Sequence, residues 1–200
     1  MEHTKSVETK TPHKAHNHVP RITILGIGNL LLRDEGVGVH LVQELTASDI
    51  AYVNLNIIDG GTSPDILSLV DDGIDKLIIV DAVKAGNRPG TIYRFSFDDL
   101  DFDSETPISL HEIGVLESLG MMALLNGQPK STVIIGIEPK TIDYGLELSS
   151  EVEEKLPEVI KLVLKEIEET IVSCKTPHNC PSPAGRELAE SHNTAMEVDR

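Results

Sequence analysis

The chain contains no tryptophan, and its aromatic residues amount to 3% of 200. Any core must therefore be aliphatic. Basic side chains are also scarce, 17 against 33 acidic ones, for a formal charge of -16. Such a surface repels nucleic-acid phosphates and anionic lipid, and it suits cations or basic partners. Neither nucleic-acid binding nor membrane association is expected. No stretch approaches the ~20 apolar residues of a membrane span, and the opening MEHTKSVETKTPHKAHNHVP has no apolar export core. Cysteine occurs only as Cys174 and Cys180, both in a polar stretch. That excludes a disulfide framework and fits a reducing, cytoplasmic compartment.

What is present is a 40% hydrophobic content, enough for one compact domain. Residues 1–20 are polar and carry His3, His13, His16 and His18, while 174–200 are rich in proline, serine and charge. Both ends read as flexible tails around a domain at 21–173. The histidines, and the spacing of Cys174, His178 and Cys180, are too sparse to define a metal site and read as solvated.

Within the domain, short aliphatic runs alternate with helical patterns. ITILGI at 22–27 predicts a buried strand, and Val37, Leu41, Val42 and Leu45 mark one face of a following helix. VNLNIID at 53–59 alternates like a strand, with DGGT as a turn after it. Ser63 and Pro64 predict an N-cap and first turn of a short helix through Leu69. Further strands are expected at 76–83, 91–97 and 132–137, and a helix at 110–126 that Gly127 ends. Ser150 and Glu153 have capping-box spacing ahead of a helical region reaching Ser173, with Pro157 at a break or a new first turn. Strands separated by helices predict an α/β three-layer sandwich: a mostly parallel five-stranded sheet with helices on both faces. The short link into 91–97 allows one antiparallel strand.

In such sheets function gathers beyond the carboxyl ends of the strands. Those positions are acidic here: Glu35 follows the first strand, Asp59 ends the second, Asp81 ends the third, and His111 opens the helix after the fourth. The segment GNLLLRDEGVG, from Gly28, has the glycines of a phosphate cradle. However, Leu31 stands where a dinucleotide fingerprint needs a small residue, and Asp34 and Glu35 add negative charge. The glycines are better read as turn and close-packing positions, with Gly36 and Gly38 letting the helix approach the strand. Glu35, Asp81 and His111 carry donors suited to nickel, zinc or manganese. Each also has an ordinary structural reading, as a helix first-turn acid, a strand-end cap and a solvated helix residue. No serine sits in a G-x-S-x-G elbow, so a serine or cysteine hydrolase is not expected.

The segments GIGNLLLRDEGVGVHLVQEL, IIDGGT, LIIVDAVKAGNRPGTIYRF, SLHEIGV and VIIGIEPKTIDYGLELS, taken in order from Arg21 to Ile171, resemble the hydrogenase maturation endopeptidases. DEGVG and DGGT are the most specific of these. The resemblance implies a three-layer α/β endopeptidase that removes a C-terminal extension from the nickel-loaded large-subunit precursor of a nickel-iron hydrogenase. It implies that Glu35, Asp81 and His111 are the catalytic and metal-contacting residues, and that the nickel is carried by the substrate. Asp59, Gly60, Gly61 and Thr62 match a loop implicated in substrate handling. One departure is Glu112, where family members often carry glutamine. A monomer meeting its partner transiently is expected. The same ligands would also serve a nickel-binding assembly chaperone that does not cut.

Overall fold

The computed structural model describes residues 18–48, 50–62, 70–71, 73–97, 120–121 and 128–175. Five strands, β1 (Ile22–Ile27), β2 (Leu55–Gly61), β3 (Lys76–Ala82), β4 (Ile92–Ser96) and β5 (Ser131–Ile137), form one sheet in the order β2-β1-β3-β5-β4. The first four in that order are parallel, and β4 is antiparallel at the edge. Its partner is β5, arriving later in the chain, and not the β3 that precedes it. The loop over residues 83–91 carries the chain past the place that β5 will occupy.

Alternate residues of the central strands face opposite sides of the sheet. Ile22, Ile24, Ile78, Val80, Val133 and Ile135 belong to one apolar cluster. Leu25, Ile27, Leu77, Ile79 and Ile134 belong to the other. The first face is covered by α1 (Val37–Ala47), α2 (Ser150–Glu153) and α3 (Leu156–Lys175). Val37, Leu41, Val42 and Leu45 are buried as their spacing predicted, each contributing about 1.5–3 kcal/mol through area removed from water. The helix expected at 64–69 lies outside the described residues. So does the one expected at 110–126, except for Gly120 and Met121, which are helical.

Two boundaries differ from expectation. β2 starts at Leu55 because Asn54 adopts φ 63 and turns the chain. It then continues through Asp59-Gly60-Gly61, expected as a turn, by pairing with Gly26 and Ile27 across a register shift. The acidic helix is capped by Ser149 rather than Ser150: the Ser149 carbonyl accepts from the N–H groups of Val152 and Glu153. Ser150 Oγ instead donates to Glu151, so no capping box forms. Pro157 stands in the first turn of α3, where its missing N–H costs no helical hydrogen bond.

Candidate active site

The chain leaves β1 through a turn that two glycines make possible. Gly28 has φ 139, and a Cβ there would strike the Glu35 carbonyl. A Cβ on Gly38 would strike the Val80 and Ile27 carbonyls, so the start of α1 is pressed against the ends of β1 and β3. The glycines thus make room for the chain's own backbone, which fits the packing reading and removes the phosphate cradle. Between them, Arg33–Gly36 form a 3₁₀ turn that contacts β3. Arg33 holds a left-handed φ of 52, a conformation costing about 1–2 kcal/mol outside glycine. Its N–H donates to the Gly145 carbonyl at 3.0 Å.

Asp34 explains why that strain is tolerated. Its side chain is 0% exposed. Oδ2 accepts from Lys140 N (2.9 Å), Thr141 N (2.9 Å) and Ser149 Oγ (2.8 Å), and Oδ1 accepts from Ser149 N (2.6 Å). Four donors from a loop more than a hundred residues away converge on one carboxylate. Such charge-assisted bonds are among the stronger ones a protein makes. Asp34 therefore clasps the 140–149 loop onto the turn that carries Glu35.

Glu35, the next residue, is half-buried, and its Oε2 is shielded from solvent. Asp81 is buried at the carboxyl end of β3. Its Oδ1 accepts from Ala82 N at 2.8 Å, and its Oδ2 is shielded from solvent. By strand alternation Asp81 points to the side of Leu77 and Ile79, away from α1. Both acids therefore stand at the carboxyl edge of the central strands, as the strand-end argument required. His111 and Glu112 lie outside the described residues. Among the described residues, no three His, Cys, Asp or Glu side chains group closely enough to hold a metal ion.

The DGGT segment borders the same turn, since Gly28 N donates to the Gly61 carbonyl at 2.8 Å. Gly61 N donates to Asp59 Oδ1 at 3.0 Å. Asp59 also lines a groove of about 410 Å³ together with Val42, Gln43, Thr46 and Ile57. Thr62 is exposed just beyond β2.

Two structural carboxylates at this edge were not singled out by sequence. One is Asp34. The other is Glu138, buried just after β5, which accepts from the N–H groups of Ala85 (2.9 Å), Gly86 (3.2 Å) and Asn87 (3.2 Å) and from the Tyr93 hydroxyl (2.5 Å). Burial pushes the Glu138 carboxyl upward, but the Tyr93 hydroxyl and the three N–H groups outweigh it and hold the group below its ordinary value. Burial, then the hydrogen bond to Glu138, raises the Tyr93 hydroxyl, so its proton stays on the phenol. This pair holds the loop after Asp81 in place. Sequence offered one signal for Asp34, its adjacency to Glu35, and no local one for Glu138, whose partners are the Tyr93 hydroxyl and the N–H groups of residues 85–87.

The comparisons agree with the geometry. The sequence profile of the hydrogenase maturation protease family (HycI) matches residues 39–166. The hydrogenase expression/formation protein HupD of Thiocapsa roseopersicina is 37% identical over 150 residues, covering 73% of this chain and 67% of the relative. The hydrogenase 2 maturation protease of Escherichia coli (strain K12) is 31% identical over 153 residues, covering 75% and 92%. In three dimensions the chain is similar to the hydrogenase maturating endopeptidase HybD from E. coli, with a TM-score of 0.67, 30% identity, and coverage of 75% of this chain and 93% of that one. The NiFe hydrogenase maturation protease HybD from Thermococcus kodakarensis gives 0.61, 29%, 74% and 99%. With its sheet order, its glycine-shaped turn and these likenesses in agreement, the chain belongs to the hydrogenase maturation protease family and is an endopeptidase.

Proposed function

We propose that the enzyme acts on the large-subunit precursor of a nickel-iron hydrogenase, removing its C-terminal extension once nickel is in place. Glu35, Asp81 and His111 complete the coordination of the nickel that the substrate presents. Recognition of the precursor then reports that metal insertion has occurred. The observation that supports this reading is that Glu35 and Asp81 come to one sheet edge on a turn and a strand packed directly against each other. Carboxylates with solvent-shielded oxygens suit a divalent ion of this class.

Peptide hydrolysis at this edge needs a water oxygen to bond to the scissile carbonyl carbon, the C–N bond to break, and a proton to reach the leaving amine. A carboxylate, Glu35 or Asp81, takes the proton from the water as general base and returns it to the nitrogen. Substrate nickel beside the scissile bond polarises the carbonyl or acidifies the water. Asp59, Gly60, Gly61 and Thr62, bordering the same turn, handle the extension. A nickel-binding assembly chaperone that does not cut would use the same ligands, but the family's peptidase activity weighs against it.

Incubating the purified protein with nickel-loaded precursor and weighing the products by mass spectrometry tests the reading: a released C-terminal peptide is expected. Glu35→Gln, Asp81→Asn and His111→Ala should each slow release by about 100-fold or more, with melting temperatures close to wild type. Wild-type processing rates in all three variants would remove the site assignment, and binding without any change in mass would point to the chaperone.

A further inference from the structure

Three of the large apolar side chains exposed among the described residues lie on one double loop beside Glu35. Leu31 is 60% exposed, Tyr144 89% and Leu146 64%. The others, Val19, Val53, Met121 and Val172, belong to separate segments. Residues 31–33 and 145 are zipped by backbone bonds: Gly145 N donates to the Leu31 carbonyl and Arg33 N to the Gly145 carbonyl, each at 3.0 Å. His40 Nε2 lies 3.1 Å from the Leu146 carbonyl. The Asp34 clasp fixes the loop at Lys140, Thr141 and Ser149, on both sides of the apolar residues. The loop has almost no regular secondary structure, yet it is pinned at five positions.

We propose that Leu31, Tyr144 and Leu146 form a docking platform for the folded large-subunit precursor, seating it so that its scissile segment falls at the carboxyl edge of the sheet. This rests on the function proposed above and adds the surface that selects the partner. The platform is continuous with the site, because Glu35 directly follows the residue that holds the platform together. Pinning removes the loop-ordering cost of docking, and an exposed tyrosine is the kind of anchor that carries binding energy, with the leucines beside it excluding water around it. Exposed Asp143 and Glu147 flank Tyr144 and Leu146, giving an apolar centre with an acidic rim. The complementary face on the precursor is an apolar patch with a basic rim.

The test measures initial cleavage rates by mass spectrometry across a range of purified nickel-loaded precursor concentrations, together with precursor binding and self-association by sedimentation. Tyr144→Ser and Leu146→Ser should each raise KM and weaken binding by about tenfold, leaving kcat at saturation and the melting temperature unchanged. The double variant Asp143→Lys with Glu147→Lys should weaken binding and flatten its dependence on salt. Val172→Ser, on the far part of α3, should change nothing. Wild-type KM in both serine variants, with cleavage intact in the parent enzyme, would overturn the platform and leave the proposed function standing. A parent enzyme that neither binds nor cleaves the precursor would overturn both. Loss of self-association in Tyr144→Ser, with precursor binding intact, would give the surface to a second copy of this chain and overturn the proposal.

Discussion

The two edges of the sheet handle buried negative charge in opposite ways. At the carboxyl edge, Asp34 and Glu138 are satisfied by backbone N–H groups and by the hydroxyls of Ser149 and Tyr93. At the amino edge, Asp75 meets Lys130 (2.7 Å) and His18 (2.9 Å), and Glu166 meets Lys76 (3.0 Å) and Arg94 (2.6 Å). Dipoles stabilise a charge without cancelling it, whereas a cation cancels it. At the carboxyl edge Asp34 and Glu138 are thus held by dipoles, and at the amino edge Asp75 and Glu166 are held by cations. An edge of the first kind attracts a cationic centre such as a substrate-borne metal.

Substitutions at each edge can break that comparison. The largest effect is expected for Asp34→Ala, which leaves four donors without their acceptor and releases the 140–149 loop. It should cost about 3–5 kcal/mol in denaturant unfolding and open that loop to limited proteolysis. A cost below 1 kcal/mol would show that the clasp is incidental. Glu166→Gln should cost less, about 1–3 kcal/mol, because Arg94 is partly exposed and recovers water when its partner is lost. Equal costs for the two variants, with equal sensitivity to salt, would erase the distinction between dipole-held and cation-held carboxylates.

The smallest effect is the change in pH dependence. Burial raises Glu166 and Asp75, but their hydrogen bonds and ion pairs more than compensate, Arg94 and then Lys76 for Glu166, and Lys130, Arg21 and His18 for Asp75. Both groups sit below their ordinary values in the fold. A depressed folded-state pKa contributes stability that is complete above the unfolded value and is lost as pH falls through the folded one. Unfolding by acid should thus proceed through and below the normal carboxylate range. In Glu166→Gln the slope of stability against pH should be shallower there, by about one group's proton uptake. An unchanged acid limb in urea titrations at stepped pH would show that Glu166 does not contribute.

Much of the fold was legible because periodicity reports burial. Ile22–Ile27 and the face of α1 were found as predicted, since an aliphatic run and a 3.6-residue pattern each have one solution here. Local signals did less well where a distant partner decides. Val53 and Asn54 carry strand-like alternation, but the chain turns at Asn54. Ser150 and Glu153 have the spacing of a capping box, yet Ser149 takes the cap, its side chain and N–H held in place by Asp34. The antiparallel strand was expected, but its pairing with β5 depends on a chain crossing that no local pattern encodes. For the proposed site, the strand-end rule pointed to Glu35 and Asp81, and both stand at the carboxyl edge, while Asp34 drew notice only as added negative charge in the turn. Its role depends on residues 140–149, whose N–H groups have no signature in the sequence.

The Asp34 clasp also orders events in time. Its acceptor is made near the start of the chain and its donors more than a hundred residues later. Closing so long a loop carries a large entropic penalty, which is met only after the intervening strands are in register. During synthesis, the clasp stays open and the turn carrying Glu35 stays unpinned until residue 149 has emerged and β5 has docked.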